Sequence, residues 1–274
     1  MKVGILTDLR KMSAAKIEII RATVAEIEKH FEVVSIAKAE AFLVIGGDGT
    51  MINVTKIHGH LGKPFYGVNR GTYGFYLNDH DNGDNFKKAM KQAEWIEFPL
   101  LEVEIHLENG RVKNVLAMND VWTKSISINP GGSAKHRLFI DGQCLSYFDD
   151  NGREFPYSGD GIIICTPGGS TAYNFNVGGP VLGHKSDTFL LTPIAPGWPN
   201  RPFTPVQLSH DFEVVIEMVE NNKRKNVLFA DNLSFTKIKK AIIRRAKQAV
   251  RLGFKDGNQS YTQKVLKLKF PWLR

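Results

Sequence analysis

Apolar residues in the first hundred positions follow two rhythms. Short unbroken runs at Val3–Thr7, Val33–Ile36, Phe42–Ile45 and Phe65–Val68 read as buried strands. Between the first two lies Ala14–His30, where Ile17, Ile20, Ala22, Val24, Ile27 and the following Phe31 recur at helical spacing. Glycine-rich turns follow the last two strands. Strand, helix, strand in this order predicts a parallel sheet with helices on its faces.

From about Leu100 the pattern changes. Leu101–Leu107 alternates strictly between apolar and polar, as a half-buried strand does. Leu138–Leu145 contains Asp141-Gly142, the signal of a tight hairpin turn. Val214–Met218, Val227–Ala230 and Val265–Phe270 repeat the strand-like look. The stretch Thr236–Leu252 has apolar spacing that serves a helix or a pair of strands equally well. The fold class read from this is an N-terminal α/β domain with a parallel sheet over 1–98, followed by a β-rich domain over 99–261. No internal repeat or low-complexity tract interrupts it.

Composition narrows the class of protein. Across 274 residues, 42% are hydrophobic and 23% charged, the balance of an ordinary globular chain. Cys144 and Cys165 are the two cysteines, each in an apolar run. They read as buried thiols in a reducing compartment, not as a disulfide framework. Met1–Asp8 does not continue into a secretory signal, and no apolar run reaches the roughly 20 residues needed to span a bilayer. A cytosolic protein without a membrane partner is expected. The net charge of +8 suits an anionic partner. The densest basic cluster, Lys237–Arg251, reads as a solvated face, with a phosphate-facing strand or loop as the alternative; it lacks the aromatics that would stack bases, so a nucleic-acid surface is not expected.

The most informative segment is Phe42-Leu43-Val44-Ile45-Gly46-Gly47-Asp48-Gly49-Thr50. A buried strand runs into glycines and then into a predicted helix. The glycines let main-chain N–H groups approach a phosphate, and the helix N-terminus adds partial positive charge. No Lys-Ser or Lys-Thr follows, which excludes a Walker loop. Asp48 singles the loop out. A carboxylate facing a polyphosphate is unfavourable unless it holds a metal or takes a proton from an attacking hydroxyl.

Two further turns join it. Asn69-Arg70-Gly71-Thr72-Tyr73-Gly74-Phe75-Tyr76 follows the next strand, and loops at the C-terminal ends of parallel strands line ligand sites. Phe75 or Tyr76 could pack on a base or ribose there. Ser158-Gly159-Asp160-Gly161 leads through a buried strand into Thr166–Tyr173, a small-residue loop crowded with hydroxyls that offers donors and acceptors to a ligand. Asp160 could accept hydrogen bonds from ribose hydroxyls. Gly168–Ala172 brushes against the serine-hydrolase elbow, but Ala172 replaces its last glycine and no His–acid pair accompanies it. The eight histidines form no metal-spaced cluster, so no zinc site is expected.

With those residues in view, the chain resembles the NAD kinases. Gly46–Thr50, Gly71–Tyr76, Asn119-Asp120, Asp160–Pro180, Leu191–Pro196 and Arg201-Pro202 occur in that family's order and spacing. The resemblance implies two domains with a cleft between them, residues 262–274 packing back on the first domain, and Thr236–Leu252 as strands. It implies transfer of the ATP γ-phosphoryl group to the adenosine 2′-hydroxyl of NAD. Asp48 would be the base or polarising group, and Gly46, Gly47, Gly49 and Thr50 would hold the phosphates. Asn119, Asp120, Asp160, Thr171, Ala172 and Tyr173 would hold NAD, with Phe75, Ser158, Asn176 and Ala195 nearby. Magnesium or another divalent ion would accompany ATP, polyphosphate is an alternative donor, and a dimer or tetramer is expected by analogy.

The chain also departs from the family pattern. Asp120 stands where Glu is usual, drawing the carboxylate in by one C–C bond, about 1.5 Å. Gly168 replaces Thr or Ser, Gly197 stands where many members have His, Asn232 replaces Gly or His, and Tyr73 replaces Leu. Two rivals share features with this reading. A lipid or sphingoid-base kinase has the same glycine–aspartate loop, and a sensor of the same fold would bind NAD(P) without turnover.

Overall fold

The computed structural model describes residues 1–9, 13–80, 85–126, 133–197, 203–219, 225–255 and 258–270. Arg201-Pro202 and Trp272 lie outside the described residues. The chain divides into two compact units. One comprises Met1–Phe98, Gly183–Lys185 and the chain from Gln248 onward, and the other comprises Pro99–Leu182 and Ser186–Lys247.

The first unit is built on a parallel sheet. Lys2–Leu6 pairs with Glu32–Val33 on one side and Ala41–Gly46 on the other, and Ala41–Gly46 pairs with Phe65–Asn69. Leu252 and Gly253, at the end of the long strand Ile238–Phe254, pair in parallel with Phe65 and Tyr66. Every residue of Ala41–Gly46 is buried, as a strand with neighbours on both edges and covered faces requires. The helix Ala14–Glu28 buries Ile20, Thr23 and Ile27, and Ser13 caps it by accepting from the Lys16 N–H at 3.4 Å.

The C-terminal segment corrects an expectation. Val265–Phe270 looked strand-like, yet Asn258–Lys269 is a helix. Tyr261 is buried and Lys264, Val265 and Leu268 are half-buried, while Thr262, Gln263, Leu266 and Lys267 are exposed. That is a helical stripe at i, i+3, i+4 and i+7. The buried Asn78 fastens the loop after Phe65–Asn69 to the same region. Its amide donates to Gly67 O at 3.0 Å and Gly253 O at 2.8 Å, and its oxygen accepts from Lys255 N at 2.8 Å.

The second unit is an antiparallel β structure with a large core cluster and a smaller one around Ile163, Cys165 and Leu190. Its six-stranded sheet runs in the order Val206–Leu208, Phe189–Ile194, Gly161–Cys165, Asp120–Ser125, Asn226–Ala230, Leu233–Phe235. Ala134–Ile140, Glu213–Met218 and the first part of Ile238–Phe254 form another layer. Leu138, Val214, Ile216 and Ile243 share a core cluster with Val121, Ile162, Ile164 and Leu191. Asp141 and Gly142 both take positive φ, 49° and 79°, between Ala134–Ile140 and Gln143–Cys144, as a two-residue hairpin turn demands.

The ambiguous Thr236–Leu252 stretch lies mostly in one 17-residue strand. Its outward cations meet acids: Arg244 pairs with Glu213 at 2.5 Å and lies 3.8 Å from Glu104. One cysteine expectation fails. Cys165 is buried, but Cys144 is exposed on its short hairpin strand, where a two-residue element covers nothing.

Candidate active site

In the first unit, Ala41–Gly46 delivers the chain into the helix Asp48–His58, with Gly47 as its N-cap in extended conformation. The N–H groups of Thr50 and Met51 donate to Gly47 O at 2.9 and 3.1 Å, closing the first turn. Asp48 is the first helical residue, where the helix dipole favours negative charge. A Cβ on Gly46 would sit 2.4 Å from Thr50 Oγ1, and one on Gly71 would sit 2.8 Å from Gly47 Cα. Two glycine turns therefore press main chain against main chain.

That contact decides where Asp48 points. Its Oδ2 accepts from Gly74 N and its Oδ1 from Tyr76 N, each at 2.9 Å. Burial pushes the Asp48 carboxyl above the usual carboxylate range, opposed by the N–H groups of Tyr76 and Gly74 and by the Lys264 charge. Each carboxylate oxygen keeps further lone-pair capacity, so Asp48 can accept a proton-bearing hydroxyl while the loop grips it. Gly46 and Thr50 are buried, whereas Gly49 is exposed with nothing near its Cβ position. Phe75 is buried, stacked on Tyr73 at 6.0 Å and edge-on to Tyr261 at 6.2 Å. Tyr73, at 58% exposure, is the aromatic face that this turn presents to solvent.

In the second unit, Asp231 organises the segment that carries Asn119 and Asp120. The Asp231 carboxylate accepts from the N–H groups of Met118, Asn119 and Asp120 at 2.9, 2.8 and 3.3 Å. Asp231 holds φ 50°, a conformation that Asp tolerates better than most residues. Neither Asp231 nor Lys264 was singled out from the sequence, because each acts on loops far away in the chain.

Thr166–Tyr173 packs against this segment. Thr166 N donates to Asn119 O at 2.9 Å and Thr166 Oγ1 to Met118 O at 2.7 Å. A Cβ on Gly169 would lie 2.0 Å from Asn119 O, so only glycine fits there. The expectation that this loop offers its hydroxyls to a ligand is corrected for two of them. Thr166 Oγ1 also accepts from Gly169 N at 3.0 Å, and the buried Ser170 donates to Pro167 O at 2.6 Å while accepting from Leu182 N at 2.9 Å. Thr171 Oγ1 donates to Gly168 O at 3.2 Å and stays half-buried, as do Ala172 and Tyr173.

The remaining candidates are spread around these. Asn176 is exposed at the end of the short helix Tyr173–Asn176. Asn174, which sequence reasoning passed over, is fully buried and braces the loop through Ser170 O, Pro180 O and Thr192 Oγ1 at 3.1, 2.9 and 2.6 Å. Asp160 is exposed between two strands, its N–H on Ile194 O at 2.9 Å. Ser158 Oγ pairs with Ser133 Oγ at 2.8 Å, and Ser158 O accepts from Gly197 N at 2.7 Å. Ala195 is exposed at φ 43°. Trp122 stacks on Phe229 at 3.9 Å and meets Tyr173 edge-on at 4.8 Å, walling one side of the loop.

Asp120 is 5% exposed, and its carboxyl is pushed up to about 7 by burial first and by the nearby Asp231 charge second. The sign of its effect on stability follows. Above the ordinary carboxylate value the unfolded chain releases this proton, while the native chain keeps it until about pH 7. Stability therefore falls as pH rises over that interval and is flat beyond it. Asp120→Asn is expected to gain in denaturation midpoint over the parent as pH goes from 4 to 7. Equal midpoints at every pH in urea titrations would refute the shift.

Among the described residues, no group of three or more His, Cys, Asp or Glu converges to hold a metal ion. Asp48, with both oxygens on main-chain N–H groups, is a poor start for a protein-built cage. The donor set fits a cation that arrives on a triphosphate, keeping phosphate oxygens and water as its main ligands. No helix among the described residues is long and apolar enough to cross a membrane.

Comparison with known proteins gives a consistent result. Residues 4–94 match the family model of the ATP-NAD kinase N-terminal domain, and residues 121–251 that of the ATP-NAD kinase C-terminal domain. The chain is 32% identical over 250 residues to an NAD kinase of Rickettsia rickettsii (strain Sheila Smith), covering 91% of this chain and 92% of the relative. It is 30% identical over 250 residues, with the same coverage, to an NAD kinase of Rickettsia prowazekii (strain Madrid E). Two solved structures share the fold. A yeast NADH kinase complexed with NADH aligns with TM-score 0.77 at 18% identity, covering 100% of this chain and 89% of its own. An NAD kinase from Archaeoglobus fulgidus in complex with ATP aligns with TM-score 0.70 at 22% identity, covering 98% and 99%.

Proposed function

The chain belongs to the NAD kinase family, a phosphotransferase family acting on NAD, and we propose that Asp48 orients and deprotonates the 2′-hydroxyl of the NAD adenosine ribose for attack on the ATP γ-phosphate. The observation that carries this reading is the carboxylate held by Gly74 N and Tyr76 N at a helix N-terminus among close-packed glycines. Phosphoryl transfer needs little covalent chemistry from the protein, so fixing the acceptor and receiving its proton are the main tasks.

The other residues take the roles that the likeness to the family gives them. Gly46, Gly47, Gly49 and Thr50 hold the phosphates, although the Thr50 N–H itself is engaged by Gly47 O. Asn119, Asp120, Asp160, Thr171, Ala172 and Tyr173 take the dinucleotide, with Phe75, Ser158, Asn176 and Ala195 around it. The first of the two units handles the phosphates and the second, built mainly from Pro99–Leu182 and Ser186–Lys247, handles the dinucleotide. A divalent ion such as Mg²⁺ supplies charge neutralisation on the triphosphate when bound. The protein works in the cytosol as a homo-oligomer, without nucleic-acid or membrane partners.

The direct test incubates purified protein with NAD and ATP-Mg²⁺ and reads NADP through an NADP-specific dehydrogenase. NADP is expected to form at rates above a buffer control. Tight NAD binding without ATP consumption would leave a sensor instead, and phosphorylation of a sphingoid base in place of NAD would leave a lipid kinase.

A further inference from the structure

We propose that Lys264 is a positioning residue for phosphoryl transfer: its ammonium holds carbonyls of the Gly71–Leu77 loop so that N–H groups of the same loop hold the Asp48 carboxylate. The proposal rests on the reading of Asp48 given above.

The loop is gripped from two sides. Gly74 N and Tyr76 N donate to Asp48, while Gly74 O and Leu77 O accept from Lys264 Nζ at 2.5 and 2.7 Å. Gly74 thus spends its N–H on the carboxylate and its carbonyl on the ammonium. It does so at φ 66°, where a Cβ would lie 2.4 Å from the Asn69 side chain, so the turn has little freedom to find another shape. Asn78 fixes the chain just beyond Leu77. One turn before Lys264, Tyr261 lays its ring edge-on to Phe75, the residue between the two N–H donors. The helix Asn258–Lys269 therefore braces the Asp48-binding loop at two successive points of one face.

The chemistry of the side chain supports a role beyond packing. The Lys264 side chain is only 10% exposed. Burying an ammonium is costly unless its donors are filled, and Met would cover the same apolar surface without that cost. Here the donors reach Gly74 O, Leu77 O and Asp79 Oδ2, the last at 3.6 Å. The charged and titratable groups that face Lys264 are Asp48 and Asp79 on the loop side, Lys267 on its own helix, and the buried His184. Of these, Asp48 and Asp79 favour the ammonium, and the ammonium in turn favours ionised Asp48. Lys264 thus acts on Asp48 both by holding the loop and by its charge.

The test compares the parent with Lys264→Met, Lys264→Gln and Lys264→Arg in the full chain. NADP formation is followed against pH, and amide exchange is measured over Gly74–Leu77. Lys264→Met is expected to lower kcat by roughly 10–100-fold, as misplaced reacting groups do, with the KM for NAD changed by less than about threefold. Its acid limb, set by Asp48 ionisation, should move to higher pH as the ammonium that favours the carboxylate is lost, and the loop amides should exchange faster. Lys264→Arg keeps the cation and should retain the parental limb, with kcat within about fivefold. Should Lys264→Met not fold, Lys264→Gln carries the same expectation, since it loses the charge and its shorter amide cannot hold both Gly74 O and Leu77 O.

Folded Met or Gln variants with parental kcat, acid limb and loop exchange would overturn the proposal, whatever their melting temperature. A folded Arg variant that shifts the limb as far as Met does would overturn it too. A parent protein that makes no NADP would instead strike the reading of Asp48. The exchange data would then still decide whether Lys264 holds the loop.

Discussion

Asp48→Asn is expected to lower the rate of NADP formation by ~10²–10⁴-fold, the range spanned by general-base catalysis. The substitution keeps the side-chain shape and removes the only part that can take a proton. Its effect on the fold is smaller, and two contributions oppose each other. Asn has one acceptor oxygen, so either Gly74 N or Tyr76 N faces an amide NH₂ and loses its partner, costing about 1–3 kcal/mol. Against this, a neutral amide relieves the burial that pushes the Asp48 carboxyl up. The melting temperature should therefore shift by a few degrees at most, about what 1 kcal/mol produces in a chain of this size.

The pH dependence sharpens this prediction. If Asp48 takes the hydroxyl proton, its ionised form is the reactive one, and burial pushes its carboxyl above the usual carboxylate range. In the parent, kcat should fall on the acid side with a midpoint higher than that of an ordinary Asp. The residual activity of Asp48→Asn should lack that limb. Calorimetric NAD binding should survive in the variant, because the residues proposed to take the dinucleotide are untouched. NADP production by folded Asp48→Asn at the parental rate would remove Asp48 from the chemistry.

How much of this was legible in the sequence depended on the distance over which each residue acts. Gly46–Thr50 was readable because the signals that mark it are local: a buried strand, glycines at its end and a helix start. The Asp141-Gly142 hairpin was readable for the same reason. Val265–Phe270 was misread because Leu266, Leu268 and Phe270 alternate with lysines, while the residue that reveals the helical stripe, Tyr261, precedes that window. Lys264 gave no local signal at all. Its partners Gly74 and Leu77 lie 190 and 187 residues away in sequence, and in isolation it is one lysine among several on a basic helix. The hydroxyls of Thr166 and Ser170 misled in the opposite direction. A loop dense in Ser and Thr suggests ligand contacts, but backbone groups that have left a sheet also need partners, and these two side chains supply them.

Asp231→Ala is expected to destabilise the protein by about 4 kcal/mol or more, because the N–H groups of Met118, Asn119 and Asp120 lose a shared acceptor and each such loss costs about 1–3 kcal/mol. Holding Ala at φ 50° adds about 1–2 kcal/mol of strain. Removing the charge beside Asp120 returns part of that loss. Two companions separate these contributions. Asp231→Gly deletes the acceptor but tolerates the left-handed backbone, so it should recover the strain alone. Asp231→Asn keeps one oxygen for the Asn119 and Asp120 N–H groups, both of which bond Oδ1, and sacrifices only the Met118 contact made by Oδ2. It should be the mildest of the three. If Asn119 and Asp120 receive the dinucleotide, the KM for NAD should rise at least ~10-fold in Asp231→Ala, the order of effect seen when a supporting residue misplaces its ligand-binding neighbours. The KM for ATP should stay within about twofold, since the segment that Asp231 holds belongs to the second unit and the residues proposed to take the phosphates belong to the first. Urea midpoints and the two KM values from one preparation check all of this. An Asp231→Ala protein with parental midpoint and parental KM for NAD would show that the Asn119–Asp120 segment holds its shape without Asp231, and that the dinucleotide is received elsewhere.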